Sequence, residues 1–420
     1  MASTGAARRW LSFSNSDQRI LREETQGLLW DALVVPGTLA TYYKQGVGGY
    51  VLARRKPFVI DPRTPLIQPS PLTPRPVPKA SHETLAGIHN PEVGAIWAGG
   101  EEVQMEVWSD ARWSETVTNV LAFQTSFEFE AAEKIDKYEA MLRDAGMSLD
   151  APVHGPEWLI PPYWAVRDER ERWWDLSVRG IQQAIDEYGA SRIMPVVCLA
   201  SGSTTEAFSR LLQTLPEGLD RVFCWRGSWD ESTATAPDIN GWLNAVDLAA
   251  MRGIEVTNMY GGALSVLLTG FGLRGVNHGV GYSESRDEQR LSQTGGPRMR
   301  YYVPRLRGFE SVPRAQQFLD SLSTVDGSWR CECAVCGGRE TIVDLTTEEL
   351  KLHFLLCRGA EFASAEDDIG SAVADLRHDG EQLVDRFGGG QEDETRHPLA
   401  RRGDVLLRWA DALAPRLPRL

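Results

Sequence analysis

The sequence predicts an α/β protein whose main part is a (β/α)8 barrel of the TIM type. Short apolar, β-rich segments recur through the first 280 residues, and amphipathic helical patterns separate them. Buried strands that alternate with helices form a parallel sheet with right-handed crossovers. Seven or eight such units fit a closed barrel better than an open doubly wound sheet.

The individual elements follow from periodicity and residue type. Runs rich in β-branched and aromatic residues indicate strands, and apolar residues three and four positions apart indicate helices. Strands are predicted at residues 29–35, 50–60, 158–160, 192–199, 221–225, 255–259 and 275–280. Helices are predicted at residues 131–145, 169–188, 205–215, 240–251 and 263–270.

The stretch after the second predicted strand is dense in proline. Seven prolines lie between Pro62 and Pro78, so this segment is expected to be extended rather than helical. It follows Asp61, at the end of a strand where the active-site loops of barrel enzymes lie. Two interpretations stay open, an active-site loop and a surface linker.

Composition restricts the class of protein. With 42% hydrophobic and 24% charged residues, the chain can bury a core of ordinary globular character. No run of about 18 uncharged apolar residues is present, so no membrane span is expected. No apolar run follows the arginines near the N-terminus, so no signal peptide is expected. We therefore expect a cytoplasmic protein.

The net charge of −14 argues against a protein that coats nucleic acid irrespective of sequence, because such a protein needs a basic face. One stretch is locally basic, and it is either a basic groove or a solvated loop. Its arginines are Arg286, Arg290, Arg298, Arg300, Arg305 and Arg307.

Four of the six cysteines lie between residues 331 and 357, whereas Cys198 and Cys224 stand in apolar runs and are expected to be buried and inert. The cluster reads Cys-Glu-Cys-Ala-Val-Cys-Gly-Gly from residue 331, so a tight turn can bring three thiolates to one cation. Three thiolates and one imidazole in a tetrahedral arrangement favour zinc.

The fourth ligand is ambiguous from the residues alone. A helix is predicted to begin at Thr346 and Thr347, and His353 and Cys357 stand four residues apart on one face of it. Four ligands at close spacing indicate a closed, structural site rather than a catalytic one.

The predicted domains are a barrel over residues 1–310, a zinc-binding subdomain over residues 311–365 and a helical tail over residues 366–420. The tail contains an acidic helix over residues 366–387, a break at residues 388–390 and an amphipathic helix over residues 399–413. The apolar face of that last helix is expected to dock on the body or on a second subunit.

The order of these features resembles the tRNA-guanine transglycosylase superfamily. That family has a C-x-C-x-x-C cluster and a helical histidine after the last barrel strand, and Cys331, Cys333, Cys336 and His353 match this pattern. The resemblance therefore implies that these four residues hold a structural zinc ion. Residues 57–61 are similar to the strand that ends in the family's catalytic Asp, and residues 258–277 to its glycine turn, helix and last barrel strand.

Two departures from the family pattern affect the expected chemistry. Pro62, Arg63, Thr64 and Pro65 follow Asp61 where the family has Ser-Gly-Gly-Phe. The family's nucleophilic Asp falls on Val280, so the nucleophile is missing at its expected place.

The resemblance implies base exchange, in which a carboxylate attacks the sugar C1′ and a second acid protonates the departing purine. Asp61 is the first candidate, as the group that carries the purine's proton, although a strand-end Asp before proline also caps turns. Glu284 is the second, as a displaced nucleophile, with an exposed pair to Arg286 as the alternative. The remaining candidates are His278, as a pocket acid or a buried core histidine, and, in reserve, Asp230 and Glu231.

The predicted function is exchange or cleavage of a purine or 7-deazapurine base in tRNA or DNA through a glycosyl-enzyme intermediate. The expected partners are the nucleic acid and the base, without a membrane, and a second copy or a protein partner at the zinc lobe or the C-terminal helix. One alternative is a non-catalytic zinc-containing barrel subunit that scaffolds a nucleic-acid-modifying complex. Another is a hydrolase that acts on a free nucleoside.

Overall fold

The computed structural model describes residues 6–14, 17–23, 29–69, 78–131, 134–147, 149, 152–281, 286–288, 300–323, 327–389 and 397–417. Eight parallel strands form the central sheet, and β1 pairs with both β2 and β8. The strands are β1 (Arg8–Ser12), β2 (Ala32–Pro36), β3 (Phe58–Asp61), β4 (Ala165–Val166), β5 (Val196–Leu199), β6 (Arg221–Arg226), β7 (Glu255–Met259) and β8 (Gly275–His278).

The sheet order is β3-β2-β1-β8-β7-β6-β5-β4, which is the cyclic order of a (β/α)8 barrel. The predicted fold class is therefore confirmed. Eleven helices accompany the described part of the barrel. They are α1 (Gln18–Glu23), α2 (Gly37–Tyr42), α3 (Lys44–Ala53), α4 (Ala80–His89), α5 (Pro91–Ala98), α6 (Asp110–Ala131), α7 (Ile135–Asp144), α8 (Arg172–Tyr188), α9 (Glu206–Gln213), α10 (Ala236–Met251) and α11 (Ala263–Thr269).

The junction between β3 and β4 is held differently from the other strand pairs. No ladder joins these two strands within the described residues. The main-chain N–H of Glu157 donates to the carbonyl of Phe58 at 2.8 Å. The side-chain amide of Gln68 bonds both the carbonyl and the N–H of Ala165, at 2.9 and 3.0 Å, and so takes the place of a strand partner. We call this junction the β3–β4 seam.

The barrel interior is filled by large side chains rather than left as a channel. Trp10 and Phe223 meet edge to face, with ring centroids 5.2 Å apart. Trp225 and Met259 belong to the same buried cluster. Closer to the C-terminal ends of the strands, Ser12 donates to the Asn277 side chain at 2.8 Å. The strand ends therefore carry the polar groups of the interior.

Three sequence-predicted elements differ from the structure. Residues 50–60 are divided between α3 and β3, because a short buried apolar run looks the same in a helix and in a strand. Residues 158–160 contribute one isolated bridge, from Leu159 to Ile193, and the strand follows at β4. The helix predicted at 131–145 is α7, which is preceded by the end of α6.

The C-terminal part begins with the hairpin β9 (Arg300–Val303) and β10 (Gly308–Ser311). Four helices follow, α12 (Val312–Ser323), α13 (Thr347–Asp367), α14 (Ile369–Phe387) and α15 (Pro398–Leu413). Thr346 and Glu349 form the capping box that opens α13, as the sequence predicts.

The C-terminal lobe is tied to the barrel and to itself by ion pairs. Lys351 on α13 contacts Asp17 at 2.7 Å. Arg307 pairs with Glu361 at 2.9 Å, and Arg305 donates to Asp379 at 2.8 Å. These two arginines of the basic stretch therefore hold the lobe together, and Arg307 also lines a cavity with Arg300. Arg290 and Arg298 lie outside the described residues.

The last helix docks on the body of its own chain. Its apolar residues Leu399, Leu406 and Leu413 have no exposed surface. Arg408 of α15 donates to the carbonyl of Ser232, beyond the end of β6. Among the described helices, none is long and apolar enough to cross a membrane. The expected cytoplasmic location stays a prediction.

Candidate active site and metal centre

Asp61 is the last residue of β3 and lies at the C-terminal end of the barrel strands, which we call the barrel mouth. Its side chain has no exposed surface. Oδ1 accepts the main-chain N–H of Arg63 at 2.9 Å and the Tyr163 hydroxyl at 2.7 Å. Among the described residues, Oδ2 accepts one long bond, from the Tyr260 hydroxyl at 3.4 Å. The carboxylate is thus fixed through Oδ1, and Oδ2 is the less engaged oxygen.

The two tyrosines that face Asp61 remain proton donors. Burial raises the pKa of Tyr163 well above its ordinary value, and the neighbouring Asp61 adds to this effect. Burial also raises the pKa of Tyr260. Arg286 donates to the Tyr260 hydroxyl at 3.1 Å, so a chain of contacts leads from Arg286 through Tyr260 to Asp61.

Arg63 is the most constrained residue of the barrel mouth. Its side chain is 2% exposed, and its Nε lies 3.9 Å from Asp61 Oδ2. Burial opposes its charge, but Tyr260 and Asp61 outweigh that effect and raise the pKa of the guanidinium. Within the described part of the chain, neither Nε nor Nη2 has a hydrogen-bond partner. An unpaired buried donor costs about 1–3 kcal/mol, more when it is charged.

Backbone strain is concentrated at the same end of the barrel. Arg63, Ser228 and Tyr260 follow β3, β6 and β7 within two residues, and their φ angles are 53°, 51° and 62°. Left-handed conformations of this kind cost roughly 1–3 kcal/mol for residues other than glycine, and they persist where the surroundings over-determine them. Two of the three residues contact Asp61 directly.

Glu288 supplies a second carboxylate at the barrel mouth, and the sequence analysis missed it. It accepts the main-chain N–H of Ser201, just beyond β5, at 2.8 Å. It also covers Gly227, where an added Cβ would lie 1.7 Å from its Oε2. Burial raises the pKa of this carboxyl. The sequence feature that could have indicated Glu288 is its position in the loop after β8, four residues beyond Glu284.

Both carboxylates act electrostatically on Cys198. Burial raises the pKa of this thiol well above its ordinary value, and the charges of Glu288 and Asp61 both contribute. Cys198 therefore stays a thiol, as expected for an inert buried cysteine. Burial likewise raises the pKa of Cys224.

Glu284, the second predicted catalytic residue, lies outside the described residues. Val280, at the expected nucleophile position, belongs to a buried apolar cluster that also contains Phe13 and Phe354. Arg286, the first described residue after Glu284, accepts the N–H of Ser228 through its carbonyl at 2.8 Å.

His278 does not face the barrel interior. Its neighbour Asn277 bonds Ser12 inside the barrel, so His278, the next residue of β8, points to the opposite face. There its ring meets Phe354 of α13 edge to face, at 5.4 Å. Burial lowers the pKa of His278 to about 3, and Arg358 contributes. Of the two interpretations, the structure favours the buried core histidine over the pocket acid.

The reserve candidates have structural partners. Asp230 accepts the N–H of Ser232 at 2.9 Å and caps a short turn. Glu231 is buried and accepts the N–H groups of Gly262 and Leu264, both at 2.8 Å. It thereby caps the first turn of α11. Both carboxylates thus have structural partners, and both also line a cavity, so their reserve role in catalysis stays a prediction.

The cysteine cluster assembles as the spacing predicts. Cys331, Cys333, His353 and Cys357 each place one ligand atom within 4.8 Å of the others, so they could hold a metal ion. Cys336 Sγ also lies 3.3 Å from His353 Nδ1. The group of four thus contains Cys357, whereas the predicted ligand set contains Cys336, and the selection of Cys336 over Cys357 as a ligand stays a prediction.

The orientation of His353 suits a metal ligand. Its Nε2 lies 2.7 Å from the carbonyl of Tyr302 and donates to it, so Nδ1 is the ring nitrogen that faces the thiols. The Tyr301 ring stacks on the imidazole at 4.3 Å, and its hydroxyl lies 3.4 Å from Cys336 Sγ. The turn depends on Gly337 and Gly338, whose φ angles are 54° and 71°. These contacts fit a bound cation.

Comparisons with known proteins add no function. No family model and no curated protein matches the chain. A malate synthase from Haloferax volcanii, solved as a lead(II) complex, is 11% identical with a TM-score of 0.33, and the match covers 95% of this chain and 98% of that one. A glycoside hydrolase family 5 mannosidase from Rhizomucor miehei is 8% identical with a TM-score of 0.39, covering 87% and 95%. At these identities and TM-scores, neither protein indicates the function of this chain.

Proposed function

We propose that this protein is a transglycosylase-like enzyme that exchanges or cleaves a purine or 7-deazapurine base in tRNA or DNA through a glycosyl-enzyme intermediate. The observation that carries the proposal is the buried carboxylate of Asp61 at the barrel mouth, fixed by Tyr163 and by the main chain of Arg63. Barrel enzymes place their reacting groups at this end of the strands. Glycosidic chemistry of this kind requires a positioned carboxylate.

Base exchange breaks an N-glycosidic bond and remakes it at the same carbon. In the proposed first step, Asp61 Oδ2 attacks the sugar C1′, and the departing base takes the electron pair of the broken bond. We assign Oδ2 because Oδ1 already accepts two hydrogen bonds, whereas Oδ2 accepts one long bond. An incoming base, or water in the case of cleavage, then displaces Asp61 and gives its proton to the carboxylate that protonated the departing base.

Glu288 is the proposed proton donor to the departing base. A general acid must carry its proton at the working pH, and burial raises the pKa of Glu288 in the direction that this role requires. Its bond to the N–H of Ser201 holds it above the ends of β5 and β6. Glu284, which the sequence predicts as a displaced nucleophile, stays a candidate for the attack on C1′.

The metal is proposed to be zinc in a structural site. Thiolates and one imidazole are the ligands that zinc prefers in closed tetrahedral sites. The cluster draws residues from the turn after α12 and from α13, so a bound ion would cross-link these segments. No step of the proposed reaction uses this ion.

The decisive experiment follows labelled guanine or 7-deazaguanine into tRNA, single-stranded DNA and duplex DNA. Asp61→Asn should abolish incorporation and prevent trapping of a glycosyl adduct, because an amide cannot attack C1′. Glu288→Gln should lower turnover by roughly 10²–10⁴-fold and remove the alkaline limb of the pH profile. Asp230→Asn is the matched control and should retain activity. Adduct formation by the Asp61 variant would contradict the mechanism.

The alternative is a non-catalytic zinc-containing barrel subunit that scaffolds a nucleic-acid-modifying complex. The packing of Val280 in an apolar cluster favours it, since the family's nucleophile position then carries no reacting group. No incorporation and no base release on any of the three substrates, by folded protein that contains its metal, would decide for this alternative.

A further inference from the structure

A cavity of about 340 Å³ lies between the barrel mouth and the C-terminal lobe, and we call it the lobe cavity. Ser232 and Gly262, which follow β6 and β7, line one side of it. The hairpin β9–β10 and α15 line the other side, and Arg408 of α15 joins the two sides by donating to the carbonyl of Ser232. The described residues that hydrogen-bond Asp61 are not part of its lining, so the lobe cavity is distinct from the candidate active site.

Three arginines give the lobe cavity a cationic wall. Arg300 begins β9 at the surface, and its side chain forms no ion pair within the described part of the chain. Arg402 is held in place, because its Nε and Nη2 donate to the carbonyls of Leu306 and Arg307. Burial opposes the charge of Arg307, but the neighbouring Glu361 outweighs it and raises the pKa of the guanidinium. All three side chains therefore carry their charge at neutral pH.

The carboxylates that line the lobe cavity already have donors. Asp230 and Glu231 accept main-chain N–H groups at 2.8–2.9 Å, and Glu310 pairs with an arginine of α12 at 3.4 Å. In contrast, Arg307 Nε and Trp409 Nε1 are buried donors of lining residues, and neither has a hydrogen-bond partner among the described residues. Donors and positive charge are thus left unmatched, so the cavity suits a ligand that supplies acceptors and negative charge.

We propose that the lobe cavity is a second ligand site, which binds the phosphate group of an organic phosphate ester. Phosphate oxygens accept from several guanidinium groups at once, and arginine is well suited to such contacts. At about 30 Å³ per water molecule, the cavity has the volume of roughly ten waters, more than a free phosphate ion fills. The phosphate should therefore carry an organic group, and Phe309, Phe318 and Trp409 supply apolar surface for it. This inference does not depend on base exchange at Asp61.

The position of the lobe cavity gives a bound ester a structural effect. Its walls belong to the barrel on one side and to the hairpin and α15 on the other, so a ligand would join the two parts. The hairpin turn at Arg307 has a φ of 52°, and strain of this kind is found at ligand-binding sites. Because the site exists only when the lobe is docked, binding should stabilise the folded chain and raise its Tm.

The test measures binding of adenosine 5′-monophosphate to the full, metal-loaded chain by isothermal titration calorimetry. Inorganic phosphate should compete with the monophosphate, and adenosine should bind at least about tenfold more weakly, because it lacks the charged acceptors. A competing single-stranded DNA oligonucleotide distinguishes two sources of a phosphate ester. Displacement of the monophosphate at a lower concentration of DNA assigns the site to a nucleic-acid backbone, and displacement only at a higher concentration assigns it to a small ester.

Variants of the cationic wall connect the binding to the lobe cavity. Arg300→Gln and Arg402→Gln should each weaken binding of the monophosphate by roughly tenfold or more, since each removes a charged donor. Arg300 is exposed, so its variant should keep the fold even if the loss of Arg402 loosens the hairpin. Arg401→Gln is the matched control, because Arg401 is exposed on α15 and does not line the cavity. Circular dichroism and metal content check the fold of each variant.

Three results would overturn the proposal. They are equal affinity of the Arg300, Arg402 and Arg401 variants, binding of adenosine as tight as that of its monophosphate, and absence of binding of both the monophosphate and inorganic phosphate. Asp61→Asn should leave the affinity for the monophosphate unchanged, because Asp61 does not line the lobe cavity. Loss of binding in that variant would place the ligand at Asp61 and overturn the second site as well. Failure of base exchange would leave the second site standing.

Discussion

Replacing His278 by glutamine changes how the stability of the protein depends on pH. The imidazole is buried beside Phe354, and burial lowers its pKa from 6.5 to about 3 in the folded protein. In the unfolded chain it takes up a proton near its ordinary value of 6.5. The folded state therefore binds fewer protons, so this histidine favours folding above pH 6.5 and progressively disfavours it as the pH falls.

The size of the effect follows from proton linkage. Inside the window between the two pKa values, each pH unit changes the free energy of unfolding by about 1.4 kcal/mol per histidine. Acidification from about pH 6.5 to about pH 5 should therefore cost about 2 kcal/mol through His278 alone. That is a substantial part of the roughly 5–15 kcal/mol that stabilises a typical domain.

The assay is urea unfolding at several pH values, with the linear slope of stability against pH as the readout. His278→Gln should reduce that slope by about 1.4 kcal/mol per pH unit, whatever its effect on absolute stability. His89→Gln is a parallel test, because burial also lowers the pKa of His89 to about 3. An unchanged slope in the His278 variant would mean that the histidine is protonated in the folded state. It would restore His278 as a candidate acid.

Three further predictions concern the metal centre and the barrel mouth. Purified protein should contain about one zinc per chain, and Cys333→Ser should lose the metal and destabilise the C-terminal lobe in elemental analysis and limited proteolysis. His353→Ala should release metal to a chelator faster than Cys357→Ala, because His353 Nδ1 lies 3.3–3.5 Å from three thiols and is held by a main-chain carbonyl. Gly227→Ala should displace Glu288, since its Cβ would lie 1.7 Å from Oε2, and lower base exchange to the level of Glu288→Gln.

Each of these predictions has a clear contrary outcome. Metal-free protein whose thiols titrate freely in the native state would exclude the first, and faster metal loss from the Cys357 variant would exclude the second. For the third, Gly87→Ala on α4 is the matched control, because an added Cβ there meets nothing within 4 Å. Full exchange activity in the Gly227 variant would remove Glu288 from the mechanism.

The barrel was predictable where strands are short, apolar and followed by clear helices. The elements from β5 to α11 appear close to their predicted positions. The sequence did not predict β1, because this strand begins with Arg8 and Arg9. Two charged residues are not typical of a buried strand, although the later residues of β1 are buried. The segment around Tyr50 was assigned to a strand because a fully buried helix such as α3 shows no polar face.

The two candidate sites differ in how much the sequence discloses. The cysteine cluster could be predicted because its turn ligands lie within six residues and the others on the next helix. At the barrel mouth, Asp61 could be predicted as a candidate catalytic residue because it lies at the end of a predicted strand. Its partners Tyr163 and Tyr260 are about 100 and 200 residues away, and only the closed barrel brings them together. A short sequence pattern cannot predict a hydrogen bond between a hydroxyl and a carboxylate that are so far apart in the chain.

The β3–β4 seam has a consequence for how the molecule opens. Among the described residues, its two sides share no strand ladder and are joined by one main-chain bond from Glu157 and by side-chain bonds of Gln68 and Thr64, so mainly side-chain contacts must break to part them. The bond from Tyr163 to Asp61 spans this same line. Amide hydrogens beside the seam should exchange with solvent through local fluctuations, well before those of β6 and β7. The β3–β4 seam is therefore the place where we expect the barrel to open first, and the proposed nucleophile, Asp61, lies at this seam.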